Sequence, residues 1–134
     1  MSDNDQDNKL RGIWRSVYRY PSSGRGKEFT SEHLVQMYRK GQNLILESVP
    51  DANESYLLLR LSLEDNVATG TWEEATDPDS YYQGITYHGA IQLVLDDSQR
   101  HLKGKWVGVG KDLEVNTGPW EFSYIGDTMP AAKP

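Results

Sequence analysis

The residues best equipped for chemistry in this 134-residue chain stand in its turn-rich segments. The stretch Tyr20-Pro21-Ser22-Ser23-Gly24-Arg25-Gly26-Lys27 combines two glycines, two hydroxyls and two cations, the ingredients of a backbone nest for an anion. It lacks the spacing of a Walker or dinucleotide motif. A second segment carries Tyr81 and Tyr82, with Tyr87 and His88 just beyond it, and a third carries Lys111, Asp112, Asn116 and Thr117. Aromatic faces, cations and amides together suit a planar, polar, anionic molecule such as a nucleotide, held by stacking and charge-assisted hydrogen bonds. A purely lipophilic ligand would not need that mixture. The candidate ligand-binding residues are therefore Arg25 and Lys111 for negative charge, Tyr82, Tyr87 and Trp106 for stacking, and His88, Asn116 and Thr117 for hydrogen bonds.

Catalysis has less to draw on. His33, His88 and His101 fall in separate segments without metal-ligand spacing, so no metal is expected. Glu73 and Glu74 are adjacent, which in a strand sends them to opposite faces and rules out a carboxylate pair. No motif places a base and an orienting acid beside Ser22 or Ser23, so nucleophilic catalysis has no support. The expectation is a non-enzymatic binding protein with no cofactor.

Composition narrows the partners. With 14 Lys+Arg against 20 Asp+Glu the net charge is -6, which argues against direct binding of a nucleic-acid duplex, since phosphate neutralisation needs a basic face. A local basic pocket is still compatible. Cysteine is absent, so neither a disulfide frame nor a thiolate metal site is available. No apolar run reaches the length of a signal-peptide core or a membrane span, and a cytoplasmic protein without membrane contact is expected.

The positions of these residues depend on the strands that carry them. The chain is of single-domain length. Residues 1–9 are nearly all Asp, Asn, Ser and Gln, and 126–134 hold two prolines and little to bury, so disordered tails are expected on either side of a domain spanning 10–125. Each of the four tryptophans follows a glycine by two residues: Gly12-Ile13-Trp14, Gly70-Thr71-Trp72, Gly104-Lys105-Trp106 and Gly118-Pro119-Trp120. In a strand these positions share a face, so each indole has a neighbour without a side chain, a device suited to a tightly coiled, closed sheet.

Turn residues divide the domain into eight strands, at about 12–20, 31–39, 43–49, 55–64, 67–74, 84–95, 101–109 and 116–125. Ser31 to Lys40 alternates with period two, His33, Val35 and Met37 against Leu34, Gln36 and Tyr38, and reads as a strand. Leu57, Leu59, Leu61 and Leu63 likewise share one face. The fold expected is all-β, an eight-stranded antiparallel up-and-down barrel, a size whose interior either holds one small ligand or is filled by side chains. The connections at 40–42, 64–66 and 96–99 are short; those at 21–30, 50–54, 75–83 and 110–115 are longer. Alternate connections of a meander share a rim, so all the longer ones gather at one end, opposite the termini. Ligand sites of small barrels lie in such mouths.

Gly12-Ile13-Trp14 resembles the glycine-x-tryptophan signature of lipocalin-like (calycin) barrels, which implies that Trp14 plugs a closed end. Ser22 to Gly26, Ala68 to Trp72, Tyr81-Tyr82, Tyr87-His88-Gly89, Gly104-Lys105-Trp106 and Gly110 to Asp112 with Asn116-Thr117-Gly118 resemble the C-terminal barrel domain of actinobacterial helix-turn-helix regulators, over most of 11–125. The Gly-Lys-Trp and Thr-Gly-x-Trp elements are more loosely similar to the barrel of the two-transmembrane β-rich effectors of CBASS antiphage systems. That likeness implies a cyclic-nucleotide ligand and a part in antiphage defence. The sequence has neither a helix-turn-helix segment before Gly12 nor membrane helices, so its output is expected through a regulator or effector partner, or through sequestration. Self-association stays open, as do two rival readings: a carrier of a lipophilic molecule, and a protein-interaction module.

Overall fold

The computed structural model describes residues 10–22, 27–49, 55–75, 86–110 and 113–127. Eight strands follow one another: β1 (Gly12–Ser22), β2 (Lys27–Lys40), β3 (Asn43–Ser48), β4 (Tyr56–Glu64), β5 (Val67–Ala75), β6 (Thr86–Leu95), β7 (His101–Val109) and β8 (Val115–Gly126). Each pairs antiparallel with its sequence neighbours, and β8 closes on β1. The expected all-β up-and-down barrel is therefore the fold. Among the described residues no helix is long and apolar enough to cross a membrane.

The plain end is built from tight turns. Left-handed backbone at Gly41 (φ 64°), Asp65 (φ 55°) and Gln99 (φ 60°) reverses the chain between β2 and β3, β4 and β5, and β6 and β7, in residue types that tolerate that conformation or terminate a polar turn. The four other connections alternate to the opposite rim. The first of them is shorter than the turn residues imply: β2 begins at Lys27, and Pro21 and Ser22 extend β1 against Glu28 and Lys27. Polar residues in an alternating run at a strand end look like loop, but here the ladder continues through them.

Period-two alternation sends one face of every strand inward. At the plain end this inner face is apolar: Leu44, Leu61, Ala68, Leu93, Leu95, Leu102 and Phe122 are all buried. Trp14 plugs the same end, its indole N–H donating to the Leu10 carbonyl at 2.8 Å and Tyr124 meeting it edge-on at 5.6 Å. Gly12, at φ 144°, adopts a backbone few other residues reach, next to a bulge between β1 and β8 at Ile13 and Trp14.

The glycine-x-tryptophan pairs work across strands. Gly104 lies opposite Trp120, and Trp106 opposite Gly118, because two such motifs on antiparallel neighbours are complementary to each other. Trp72 lies opposite Gly89 on β6, and Gly89 opposite Gly108 on β7; a Cβ on Gly108 would stand 2.5 Å from Trp72 Cζ2. Trp72 thus lies against the bare backbone of Gly89 and Gly108, and Trp106 against that of Gly118.

Candidate functional site

Near the loop-bearing rim the inner wall changes character. Tyr18 of β1, His33 of β2, Ser48 at the end of β3 and Glu74 of β5 are buried inward-facing groups, and Ser55 precedes β4. The Tyr18 hydroxyl donates to Glu74 Oε1, the Ser55 hydroxyl donates to Glu74 Oε2 at 2.6 Å, and His33 Nε2 lies 2.7 Å from Ser55 Oγ and 3.4 Å from Glu74 Oε2. Ser48 Oγ accepts the Leu57 amide at 2.8 Å. In a ring of eight, β1 and β5 face each other, so the Tyr18–Glu74 bond reaches across the lumen.

An aromatic layer accompanies this polar cluster. Tyr18 packs against Trp120 at 4.6 Å between centroids and stacks on His33 at 6.1 Å, while Trp72 meets Trp106 and Trp120 edge-on at 5.6 and 5.8 Å. The barrel is bridged by side chains at this depth, and a molecule entering from the loops would meet the layer as a floor. Every indole N–H is occupied: Trp72 donates to the Val107 carbonyl, Trp106 to the Arg19 carbonyl and Trp120 to Ser16 Oγ.

Burial alone would push the Glu74 carboxyl upward, but hydrogen bonds from His33, Ser55 and Tyr18 together hold it below the usual carboxylate value of 4.5. Burial, reinforced by the Glu74 charge, pushes the Tyr18 phenol up and keeps it a neutral donor. A carboxylate depressed in the folded state stabilises the fold above its unfolded value, and that contribution is lost as pH falls through the lower folded value. Denaturant titrations should therefore show wild type weakening below about pH 4.5, with a smaller acid-dependent loss in Glu74→Gln. At neutral pH that variant should be about 2–4 kcal/mol less stable, since three donors lose a charged acceptor. An unchanged acid limb would show that Glu74 is not the group responsible.

Serine, histidine and a carboxylate together have the composition of a catalytic triad, but not its wiring. In a triad the acid holds one ring nitrogen and the serine the other. Here Ser55 and Glu74 both lie on the Nε2 side, the serine proton is committed to the carboxylate, and Nδ1 is buried with no hydrogen-bond partner among the described residues. No group of three or more metal-ligating side chains occurs among the described residues.

Of the residues expected to bind ligand, Tyr87, Trp106 and Asn116 occupy inward-facing positions. Tyr87 is partly buried against the core, Trp106 is buried within it, and Asn116 lies opposite Gly108, its amide nitrogen 2.7 Å from where a Cβ on Gly110 would be. His88 and Thr117 alternate to the outside and are exposed; the Thr117 hydroxyl donates to the Trp106 carbonyl at 2.6 Å. Arg25, Tyr82 and Lys111 lie outside the described residues. The residues that sequence reasoning passed over are Tyr18, His33, Ser55 and Glu74. A signal existed: Glu74 stands two residues after Trp72, and His33 two before Val35, placing ionisable groups on strand faces that must turn inward.

No protein-family model matches this chain, and no curated protein matches it.

Proposed function

We propose that this barrel is a non-enzymatic receptor for a small, planar, polar ligand of the nucleotide type, which it senses or sequesters at the loop-bearing end. The observation that carries the reading is the change along the inner wall, from apolar side chains at the plain end to a buried hydrogen-bonding cluster beside the aromatic layer toward the loop end. A carrier of lipophilic molecules has no use for a buried Glu74–His33–Tyr18 cluster, whose desolvation costs stability. The missing triad wiring favours binding over turnover.

The buried carboxylate also favours one orientation. An anionic group would be repelled from the floor, so the base of a nucleotide points inward and its phosphates outward, with Arg25 and Lys111 as the candidate cations of the sequence. The eight-stranded meander fits the resemblance to lipocalin-like barrels and to the sensor domains of actinobacterial regulators. The looser likeness to CBASS effectors supports a cyclic nucleotide as ligand and a role in antiphage defence. A cytoplasmic location and a regulator or effector partner follow from the same reading.

A thermal-shift screen of cyclic and linear nucleotides beside a fatty-acid set tests this. A ligand at a hundredfold excess over its Kd adds about 2.7 kcal/mol, several degrees in Tm. The shift should shrink in the Arg25→Ala/Lys111→Ala double variant, and native mass spectrometry should show one ligand per barrel. Stabilisation by fatty acids but by no nucleotide would overturn the reading.

A further inference from the structure

We infer that His33 Nδ1 is a recognition atom, the acceptor for a hydrogen-bond donor on the ligand, so that the floor selects a heterocycle edge bearing an amino or ring N–H group. This deepens the nucleotide-type reading and rests on it.

The hydrogen-bond connectivity fixes the tautomer. Ser55 has a single hydroxyl proton, and at 2.6 Å that proton goes to Glu74 Oε2, because an ionised carboxylate can only accept. His33 Nε2, 2.7 Å from the same Ser55 oxygen, must then supply its own proton. In the neutral ring Nδ1 is left as a bare acceptor. The His33 side chain is 3% exposed, and Nδ1 has no hydrogen-bond partner among the described residues. An acceptor hidden from water and left unpaired is costly and rare in native structures, so a ligand that seats against the floor and supplies a donor would relieve that cost.

The neighbours of Nδ1 restrict that partner. The ring stacks on Tyr18, which fixes its plane, and its far edge is tied to the Glu74 carboxylate through Ser55. The Tyr18 hydroxyl is spent on Glu74 and the Ser55 hydroxyl on the same group, so both protons nearby are already donated. What remains is acceptor capacity beside a negative charge. Such a site attracts an N–H donor and rejects a phosphate, a carboxylate or an acceptor-only ring edge. A site built to satisfy a donor discriminates strongly against an analogue lacking it, because its own buried group is then left unpaired.

Two measurements test this. In the free protein, selectively 15N-labelled histidine should show His33 as the Nε2–H tautomer. A protonated Nδ1 would overturn the subsite while leaving the nucleotide-type reading intact. The second compares adenosine with purine riboside, which lacks only the exocyclic amino group. Adenosine should bind at least about tenfold more tightly, move the His33 Nδ1 resonance, and lose its advantage in His33→Phe, which keeps a ring stacked on Tyr18. Equal affinity for the two, or a preference that survives His33→Phe, would overturn the assignment and leave a buried water as the partner of Nδ1. If neither riboside binds while Nδ1 is bare, the nucleotide-type reading beneath the inference fails instead.

Discussion

Trp120→Ala should lower the stability of the barrel by about 4–6 kcal/mol, measured as the loss of unfolding free energy in urea. The indole is 1% exposed and stands between Tyr18 at 4.6 Å and Phe122 at 5.7 Å, with Trp72 edge-on at 5.8 Å. Truncation removes these contacts and opens a void that the surrounding rings, carried on three different strands, cannot fill together. It also orphans the Ser16 hydroxyl, which is 0% exposed and accepts the Trp120 N–H at 2.8 Å. Domains of this size have about 5–15 kcal/mol in total, so the variant should sit near its unfolding transition at room temperature. Adding Ser16→Ala to the truncated protein should restore part of the deficit, because the unpaired hydroxyl then disappears. A loss under about 2 kcal/mol would mean that the aromatic layer collapses readily and contributes little to the core.

Gly104→Ala is expected to cost at least about 3 kcal/mol, or to prevent folding. A Cβ there would stand 2.8 Å from the Gln92 carbonyl carbon and from Leu93 Cα, with the carbonyl oxygen closer still. These are backbone atoms of the adjacent strand, so relief requires β6 and β7 to separate. In an open sheet an edge strand could shift outward. A closed ring passes the displacement to every other pair. Gly41→Ala is the control: nothing lies within 4 Å of its Cβ, and only the left-handed φ of 64° is penalised, by about 1–2 kcal/mol. If the two substitutions prove equally mild by calorimetry, the close approach at Gly104 is not rigid.

Alternation and turn residues carry most of the fold. The expected strands at 67–74 and 101–109 differ from β5 and β7 by one residue at most, since in each the inward series, Ala68, Gly70, Trp72 and Leu102, Gly104, Trp106, ends at a polar turn. The start of β2 was obscured by Lys27 and Glu28, whose polarity imitates loop while their backbone pairs with β1. The site is less legible for a geometric reason. Tyr18 and Glu74 are 56 residues apart and meet only because the ring closes and puts β1 opposite β5; no local pattern encodes that distance. The rule that separates Glu73 from Glu74 also separates Tyr87 from His88 and Asn116 from Thr117, and the second member of each of these last two pairs faces outward.

The reciprocal seating of Gly104 with Trp120 and Trp106 with Gly118 has a consequence for how this chain avoids misfolding. Sliding β8 along β7 by two residues preserves inside and outside, the one error that hydrophobic patterning tolerates. One direction of slip would force indole against indole; the other would set glycine against glycine over a void. Only the native offset matches bulk with emptiness at both places. The seam between the last two strands thus acts as a vernier, and by fixing their offset it helps fix the tilt on which the meeting of Tyr18 with Glu74 depends.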